Sequence, residues 1–207
     1  MMSFRRRLCT CMITADVDET SLVRQVELAL AAGVDFVQLR RRNRPAREVE
    51  ALAKRLVALS PRARKRVLVN GRLDVALSSG AAGVHLPADG LPVAAVRRVA
   101  PPGFVVSRST HSREAVERAF DDGASFVVFG PIFPTASKPG HPGVGLEALE
   151  EVVSSVPIPV YALGGVTPER VSQIAETGVH GIAGISVFER EDGLRDLFAR
   201  LERIRKP

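Results

Sequence analysis

Short apolar runs alternate along this chain with longer stretches in which apolar residues recur every three or four positions. Runs rich in Val, Ile and Phe, bounded by Gly, Asp or Asn, have the form of buried strands, and the longer stretches have the period of amphipathic helices. The pattern predicts strands at Leu8–Thr14, Phe36–Leu39, Val67–Val69, Gly83–Leu86, Phe104–Ser107, Phe126–Phe129, Val160–Ala162 and Gly181–Ile185. Between them it predicts helices near Ser21–Ala32, Ala46–Leu59, Leu73–Ser79, Val93–Val99, Arg113–Asp122, Leu146–Ser154 and Pro168–Thr177, and a last helix from about Gly193 to Ile204. Ser21 and Thr167 suit helix N-caps, with Pro168 at a first helical position. Gly33, Gly123 and Gly178 suit helix stops.

The phrases "AAGVDFVQL", "DDGASFVVF" and "ETGVHGIAG" each run from a helix end through a glycine into a buried strand, as a repeated βα unit does. Eight such units in 207 residues predict an α/β fold, a single-domain (β/α)8 TIM barrel over residues 1–207. A doubly wound open sheet shares the alternation. The count of eight, the lack of a long crossover and the absence of a Gly-x-Gly-x-x-Gly turn after the first strand weigh against it. The longest irregular stretch is "GPIFPTASKPGHPGVG", Gly130 to Gly145, a length that marks a functional lid or disorder.

Composition narrows the function classes. The chain is 45% hydrophobic and 25% charged, ordinary for a globular protein, and no apolar run reaches the roughly 18 residues that span a bilayer. The opening "MMSFRRRLCTCMIT" lacks a small-residue cleavage site and reads as a first strand rather than a signal peptide. A cytoplasmic protein without a membrane partner is the expectation. Cys9 and Cys11 share one face of that strand. With no further Cys and no nearby His they read as reduced core thiols. The net charge is +6, with basic runs at Arg5–Arg7, Arg40–Arg42 and Arg62–Arg66. Such charge attracts phosphorylated metabolites or nucleic acid, but no Trp and one Tyr leave nothing for bases to stack on, so no nucleic-acid partner is expected. The "RARKR" run reads as a solvated loop leading into a strand.

In a barrel of this kind chemistry sits where strands end and helices begin. The strand ends deliver Thr14 and Asp16; Gln38, Arg40 and Arg42; Asn70; His85 and Asp89; Ser107, Ser109, Thr110 and His111; Thr135, Ser137 and Lys138; Gly164 and Gly165; and Gly184, Ile185 and Ser186. The turns "ALGGV" and "AGIS" bring backbone N–H groups of Gly165, Ile185 and Ser186 where a phosphate dianion could sit. The plainer alternative is two tight turns that need a positive φ. Arg40 with Gln38 can clamp a second anionic group, or Arg40 can pair with Asp16. Lys138 can close over an anion or stand solvated. His111, past a strand end and at a helix start whose dipole opposes a positive ring, is the acid–base candidate. His85 reads as a satisfied structural group, and His141 and His180 as loop residues.

The phrases "VQLRRR", "VNGRLDVAL", "AAGVHLP", "SRSTHS", "VVFGPIFPTASKPG", "IPVYALGGVTPERV" and "GVHGIAGISVF" resemble, in this order and over nearly the whole chain, the thiamine phosphate synthase and TenI superfamily. The resemblance implies a (β/α)8 barrel, a thiazole phosphate ligand, a role in thiamine biosynthesis and a homodimer. The superfamily holds two activities. The synthase joins a pyrimidine diphosphate to thiazole phosphate with magnesium held by two aspartates, one following an Asn after strand 3 and one ending a Gly-Gln-acidic-Asp segment after strand 4. TenI-type proteins aromatise a carboxythiazole phosphate tautomer through a histidine after strand 5.

Here the first pair reads Asn70-Gly71, and "LPADGLP" puts Gly90 at the second metal position. Gln38, Arg40, Ser109 and Lys138 match the synthase pattern, with Arg42 where the synthase has lysine, whereas "NGR", "LP" and "RSTHS" match the TenI type. The resulting expectation is an isomerase, a thiazole tautomerase with His111 as its proton shuttle and with no metal and no cofactor. Its substrate-binding set would be Gln38, Arg40, Asn70, Ser109, Thr135, Ser137, Lys138, Gly165, Ile185 and Ser186. The alternatives are a thiamine phosphate synthase, a transferase that would need magnesium, and a non-catalytic thiazole-phosphate-binding regulator.

Overall fold

A computed structural model describes residues 7–205. Arg5 and Arg6 of the first basic run lie outside them. Eight parallel strands close into a barrel in chain order: β1 Cys9–Ile13, β2 Phe36–Leu39, β3 Val67–Asn70, β4 Gly83–Leu86, β5 Val105–Thr110, β6 Phe126–Phe129, β7 Val160–Leu163 and β8 Gly181–Gly184, with β8 pairing back onto β1. The helices are α1 Glu19–Ala32, α2 Ala46–Ala58, α3 Pro61–Arg64, α4 Leu73–Ser78, α5 Val93–Arg97, α6 Arg113–Asp121, α7 Gly145–Ser155, α8 Val171–Glu176 and α9 Glu191–Arg205.

The strands read as near-continuous apolar runs because both of their faces are covered. Outward residues such as Val37, Val69, Val84, Val106, Val127 and Val160 pack under the helices. Inward residues Cys11, Ile13, Leu68, Phe126, Val128, Tyr161 and Ala183 fill the barrel. Phe126 anchors that interior, with its ring 5.3 Å from Phe36 and 4.5 Å from Tyr161. Cys9 and Cys11 both belong to this inner layer and are unbridged. Burial first, and then the negative charge of Asp35, push the Cys11 thiol up to about 12, which makes it an inert core group.

Several element ends differ from the sequence expectation. α1 starts two residues before Ser21, because Asp18 takes the cap and accepts the Ser21 N–H at 3.0 Å. Thr167 makes no side-chain cap bond, and Pro168 opens a 3-10 turn, Pro168–Arg170, so that α8 begins only at Val171. The "RARKR" run is not a plain loop: Ser60 caps the short helix α3, and Arg66 donates to the Val34 carbonyl. Gly33, Gly123 and Gly178 end their helices as expected, at φ 99°, 84° and 78°, the left-handed conformation that costs glycine no steric clash. β5 runs three residues beyond the expected Ser107. Ser109 and Thr110 therefore lie in the barrel wall, and His111 follows directly.

Candidate active site

Alternation along β2, β3, β4 and β5 turns Gln38, Asn70, His85, Ser107 and Ser109 into the barrel, and the register sets them side by side. Asn70 is opposite His85, and His85 is opposite Ser107. Gln38 donates to Asn70 Oδ1 at 2.9 Å. Its own Oε1 is buried without a partner, an acceptor left for a ligand N–H or O–H. His85 is 3% exposed and lies 2.9 Å from Ser107 Oγ and 2.8 Å from Ser109 Oγ. It is the satisfied interior group that the sequence led us to expect, but it is tied to a candidate ligand contact, Ser109.

Arg40 leaves the end of β2 half-buried. Its backbone N–H is fixed by Thr14 Oγ1 at 2.9 Å. The ion pair with Asp16 that the sequence allowed for Arg40 belongs instead to Arg41, which reaches Asp16 Oδ1 at 2.9 Å and also the Val17 carbonyl. The register explains the exchange. Arg40 continues the inward positions of Gln38, and Arg41 falls on the outward side. Arg40 is left without a carboxylate partner among the described residues. Burial, then Arg42 beside it, pull its guanidinium below its ordinary value, against a weaker pull from Asp16.

His111 stands at the other side of the mouth. The Gly130 carbonyl accepts a hydrogen bond from its Nδ1–H, so a neutral ring carries its lone pair on Nε2. Lys138 Nζ lies 3.4 Å from that nitrogen. The loop that carries Lys138 is pinned at its base: Ile132 and Phe133 N–H groups donate to the Leu163 and Gly164 carbonyls at 2.8 and 3.1 Å, and Gly145 N–H returns to the Ile132 carbonyl at 3.0 Å. Thr135, Ser137 and Lys138 sit on its outer part. The Thr135 carbonyl accepts the Lys138 N–H at 3.1 Å, and the Ser137 side chain is exposed with no hydrogen bond among the described residues.

Gly164 and Gly165 end β7 beside Ile185 and Ser186 at the end of β8, because Leu163 pairs with Ala183. The helical element after β8 is only a 3-10 turn, Ser186–Phe188, which follows Ile185 directly. At Gly165, with φ 63°, an added Cβ would lie 2.6 Å from the Phe133 Cβ and 2.9 Å from the Pro134 carbonyl oxygen, so only glycine lets loop and turn approach this closely. Arg170 was not among the candidates read from the sequence. Its Nη1 donates to the Gly165 carbonyl at 2.9 Å, and its guanidinium lies 4.5 Å from the centre of the Phe133 ring. The "TPER" phrase marked only a helix start, and this contact exists because the 3-10 turn swings residue 170 back towards β7.

The donor set for magnesium is absent where the resemblance places it. Gly71 and Gly90 offer no side chain, Asp89 is exposed, and Asp74 is bound by Arg72 at 2.5 Å. No group of three His, Cys, Asp or Glu able to hold a metal ion occurs among the described residues. The residues present do not fit the ion, which needs several hard oxygen ligands. No helix among them is long and apolar enough to cross a membrane.

Residues 10–188 match the family described as thiamine monophosphate synthase. The thiamine-phosphate synthase of Methanoculleus marisnigri is 42% identical over 79% of this chain and 78% of its own, and that of Chlorobium luteolum is 38% identical over 91% of each. Among solved structures, the thiamine phosphate pyrophosphorylase of Pyrococcus furiosus superposes with a TM-score of 0.84 at 31% identity, over 97% of this chain and 98% of its own. With the closed barrel and the ordered mouth phrases, these matches place the chain in the thiamine monophosphate synthase and TenI family of thiamine biosynthesis.

Proposed function

We propose that this chain is an enzyme that binds a thiazole phosphate at the barrel mouth. The phosphate would lie against Gly165, Ile185 and Ser186, and Arg40 and Lys138 would face the anionic remainder of the ligand. The observation that carries the reading is Arg40, a half-buried cation, while Asp16, the acidic residue whose charge acts on it, is already held by Arg41. A half-buried guanidinium without a carboxylate partner is positioned to take a charge-assisted contact from a ligand anion.

Two reactions use such a ligand. Transfer, in which a pyrimidine diphosphate is joined to the thiazole phosphate, is the one the relatives' names support, and Gln38, Arg40, Ser109 and Lys138 stand where the synthase pattern wants them. The magnesium that the synthase pattern calls for finds no donor set here, so no step is derived through it. Tautomerisation is favoured by one specific observation, the orientation of His111. Its Nε2 lone pair lies beside Lys138 Nζ, with Nδ1–H held by the Gly130 carbonyl. A ligand anion that drew Lys138 towards itself would free that nitrogen to take a proton from the non-aromatic ring and return one to the exocyclic carbon. The proton count is unchanged, and aromatisation supplies the driving force.

One experiment separates the readings: purified enzyme is given both substrate sets, with and without magnesium. Thiamine phosphate formed only with magnesium supports transfer. Metal-independent aromatisation of the carboxythiazole phosphate supports tautomerisation. Binding of thiazole phosphate without either reaction leaves a binding protein, and no binding removes the proposal. As with its relatives' biosynthetic role, a cytoplasmic homodimer with no nucleic-acid or membrane partner is part of the proposal.

A further inference from the structure

The barrel interior contains a polar chain, Ser107–His85–Ser109, that neither reaction above requires for proton transfer. His85 Nδ1 meets Ser107 Oγ at 2.9 Å and Nε2 meets Ser109 Oγ at 2.8 Å. Ser107 is fully buried, His85 nearly so, and Ser109 is half-buried where β5 reaches the mouth. In a neutral imidazole one nitrogen donates and the other accepts. The chain can therefore run in either of two directions, and the two differ in what they leave over.

If Nδ1–H donated to Ser107, the Ser107 hydroxyl proton would have no acceptor. Its side chain makes no other hydrogen bond among the described residues, and an orphaned donor at a fully buried site carries its whole desolvation penalty. In the opposite direction Ser107 donates to Nδ1 and Nε2–H donates to Ser109. The unspent proton is then the Ser109 O–H, at the one end of the chain that reaches the ligand side.

We propose that His85 is a positioning residue, held by Ser107 in its Nε2–H tautomer, and that it thereby presents Ser109 to the ligand as a hydrogen-bond donor. The ligand atom that meets Ser109 is accordingly an anionic oxygen. The reverse direction would present only lone pairs there and would repel one. Burial first, and then the charge of Arg108, push His85 down to about 3, so the ring stays neutral and the direction persists at neutral pH. Arg108 is itself occupied by the Leu91 and Ala88 carbonyls. The inference rests on reading the mouth as an anion site, but its first test does not.

That test is long-range proton–nitrogen NMR of uniformly 15N-labelled, ligand-free protein at pH 7. The expected result is a His85 ring with a proton on Nε2 and none on Nδ1, which shifts towards a mixture in Ser107→Ala. An Nδ1–H pattern, a doubly protonated ring, or a tautomer unchanged by Ser107→Ala overturns the proposal. The second test is calorimetry with inorganic phosphate and with carboxythiazole phosphate. Ser109→Ala and His85→Leu should each weaken binding about 10- to 150-fold, the scale of one hydrogen bond to a charged group. The double variant should be no weaker than Ser109→Ala, and His85→Gln, which can accept from Ser107 and donate to Ser109, should restore affinity. A loss seen with inorganic phosphate assigns a phosphate oxygen to Ser109, and a loss confined to the carboxylated ligand assigns the carboxylate. A loss with neither, or additive losses in the double variant, overturns the relay. If wild-type protein binds neither ligand, the thiazole phosphate reading fails, while the NMR result still decides the tautomer.

Discussion

Lys138 brings its ammonium within 3.4 Å of His111 Nε2, the ring nitrogen left with a lone pair when Nδ1–H donates to the Gly130 carbonyl. The proposed base and the lysine beside it are thus in contact without a ligand, although they stand on different loops. An anion that binds the lid lysine also uncovers the base. If tautomerisation is the reaction, His111→Ala lowers its turnover about 100- to 10,000-fold, the usual contribution of a positioned acid–base group. His111→Asn, polar but not titrating, behaves the same way. Affinity for inorganic phosphate changes little in either variant, since the cradle hangs from other strands. Steady-state rates beside phosphate titrations check this, and wild-type turnover in both variants removes His111 from the mechanism.

The exchange of partners at the end of β2 separates two neighbouring arginines. Arg41 is structural: its side chain is 8% exposed and holds Asp16. Arg41→Ala therefore lowers unfolding stability by about 1–3 kcal/mol, the cost of losing charged hydrogen bonds at a buried site. Arg40→Ala leaves the urea midpoint nearly unchanged and weakens ligand binding by at least about tenfold, as expected for loss of a charge-assisted contact. Parallel denaturation and binding curves test the pair, and identical profiles for the two variants would contradict the assignment.

Gly165→Ala forces a methyl group against Phe133 and Pro134 at a positive φ. Stability should fall by about 1–3 kcal/mol. Phosphate affinity should fall further than in Gly103→Ala, also at a positive φ but with nothing within 4 Å of its Cβ. Equal phosphate affinities in the two variants would remove the cradle from this turn.

His85 also sets a pH dependence of stability. Its value is 6.5 when unfolded and is pushed down to about 3 in the fold, by burial first. Between those values the unfolded chain binds a proton that the folded chain refuses. Its contribution is therefore complete above the unfolded value and is lost as pH falls towards 3, by up to about 1.4 kcal/mol per pH unit. Taking wild type from pH 7.5 to 5 should lose about 2 kcal/mol more than taking His85→Gln over the same range. Equal losses in urea melts of the two proteins would falsify a buried, neutral His85.

The barrel could be read from periodicity alone because every strand is covered on both faces, so that strands such as Val67–Val69 and Phe126–Phe129 are apolar throughout while the helices between them keep a polar face. The mouth residues Gln38, Asn70, Ser109 and His111 followed from where those runs stop. The ends themselves were less legible. Arg108, Ser109 and Thr110 look like a loop in sequence, but β5 continues through them because Val127, Val128 and Phe129 of β6 supply backbone partners. Ser21 yielded its cap to Asp18, whose carboxylate three residues earlier accepts the Ser21 N–H and starts the helix sooner.

Sequence by itself determined the class of fold, the family pattern and the glycines, Gly71 and Gly90, at the two positions where the resemblance puts metal carboxylates, since each depends on residue type at a position within one unit. Only the tertiary structure decided which partner each group has. Arg41 rather than Arg40 holds Asp16, Arg170 closes back on Gly165, Lys138 meets His111, and His85 bridges Ser107 and Ser109. Apart from the Arg170–Gly165 contact, which closes a turn within the seventh βα unit, those pairings join different units. They are fixed by strand register and by the direction a side chain takes from the barrel wall, and neither is written in the local pattern of any single unit.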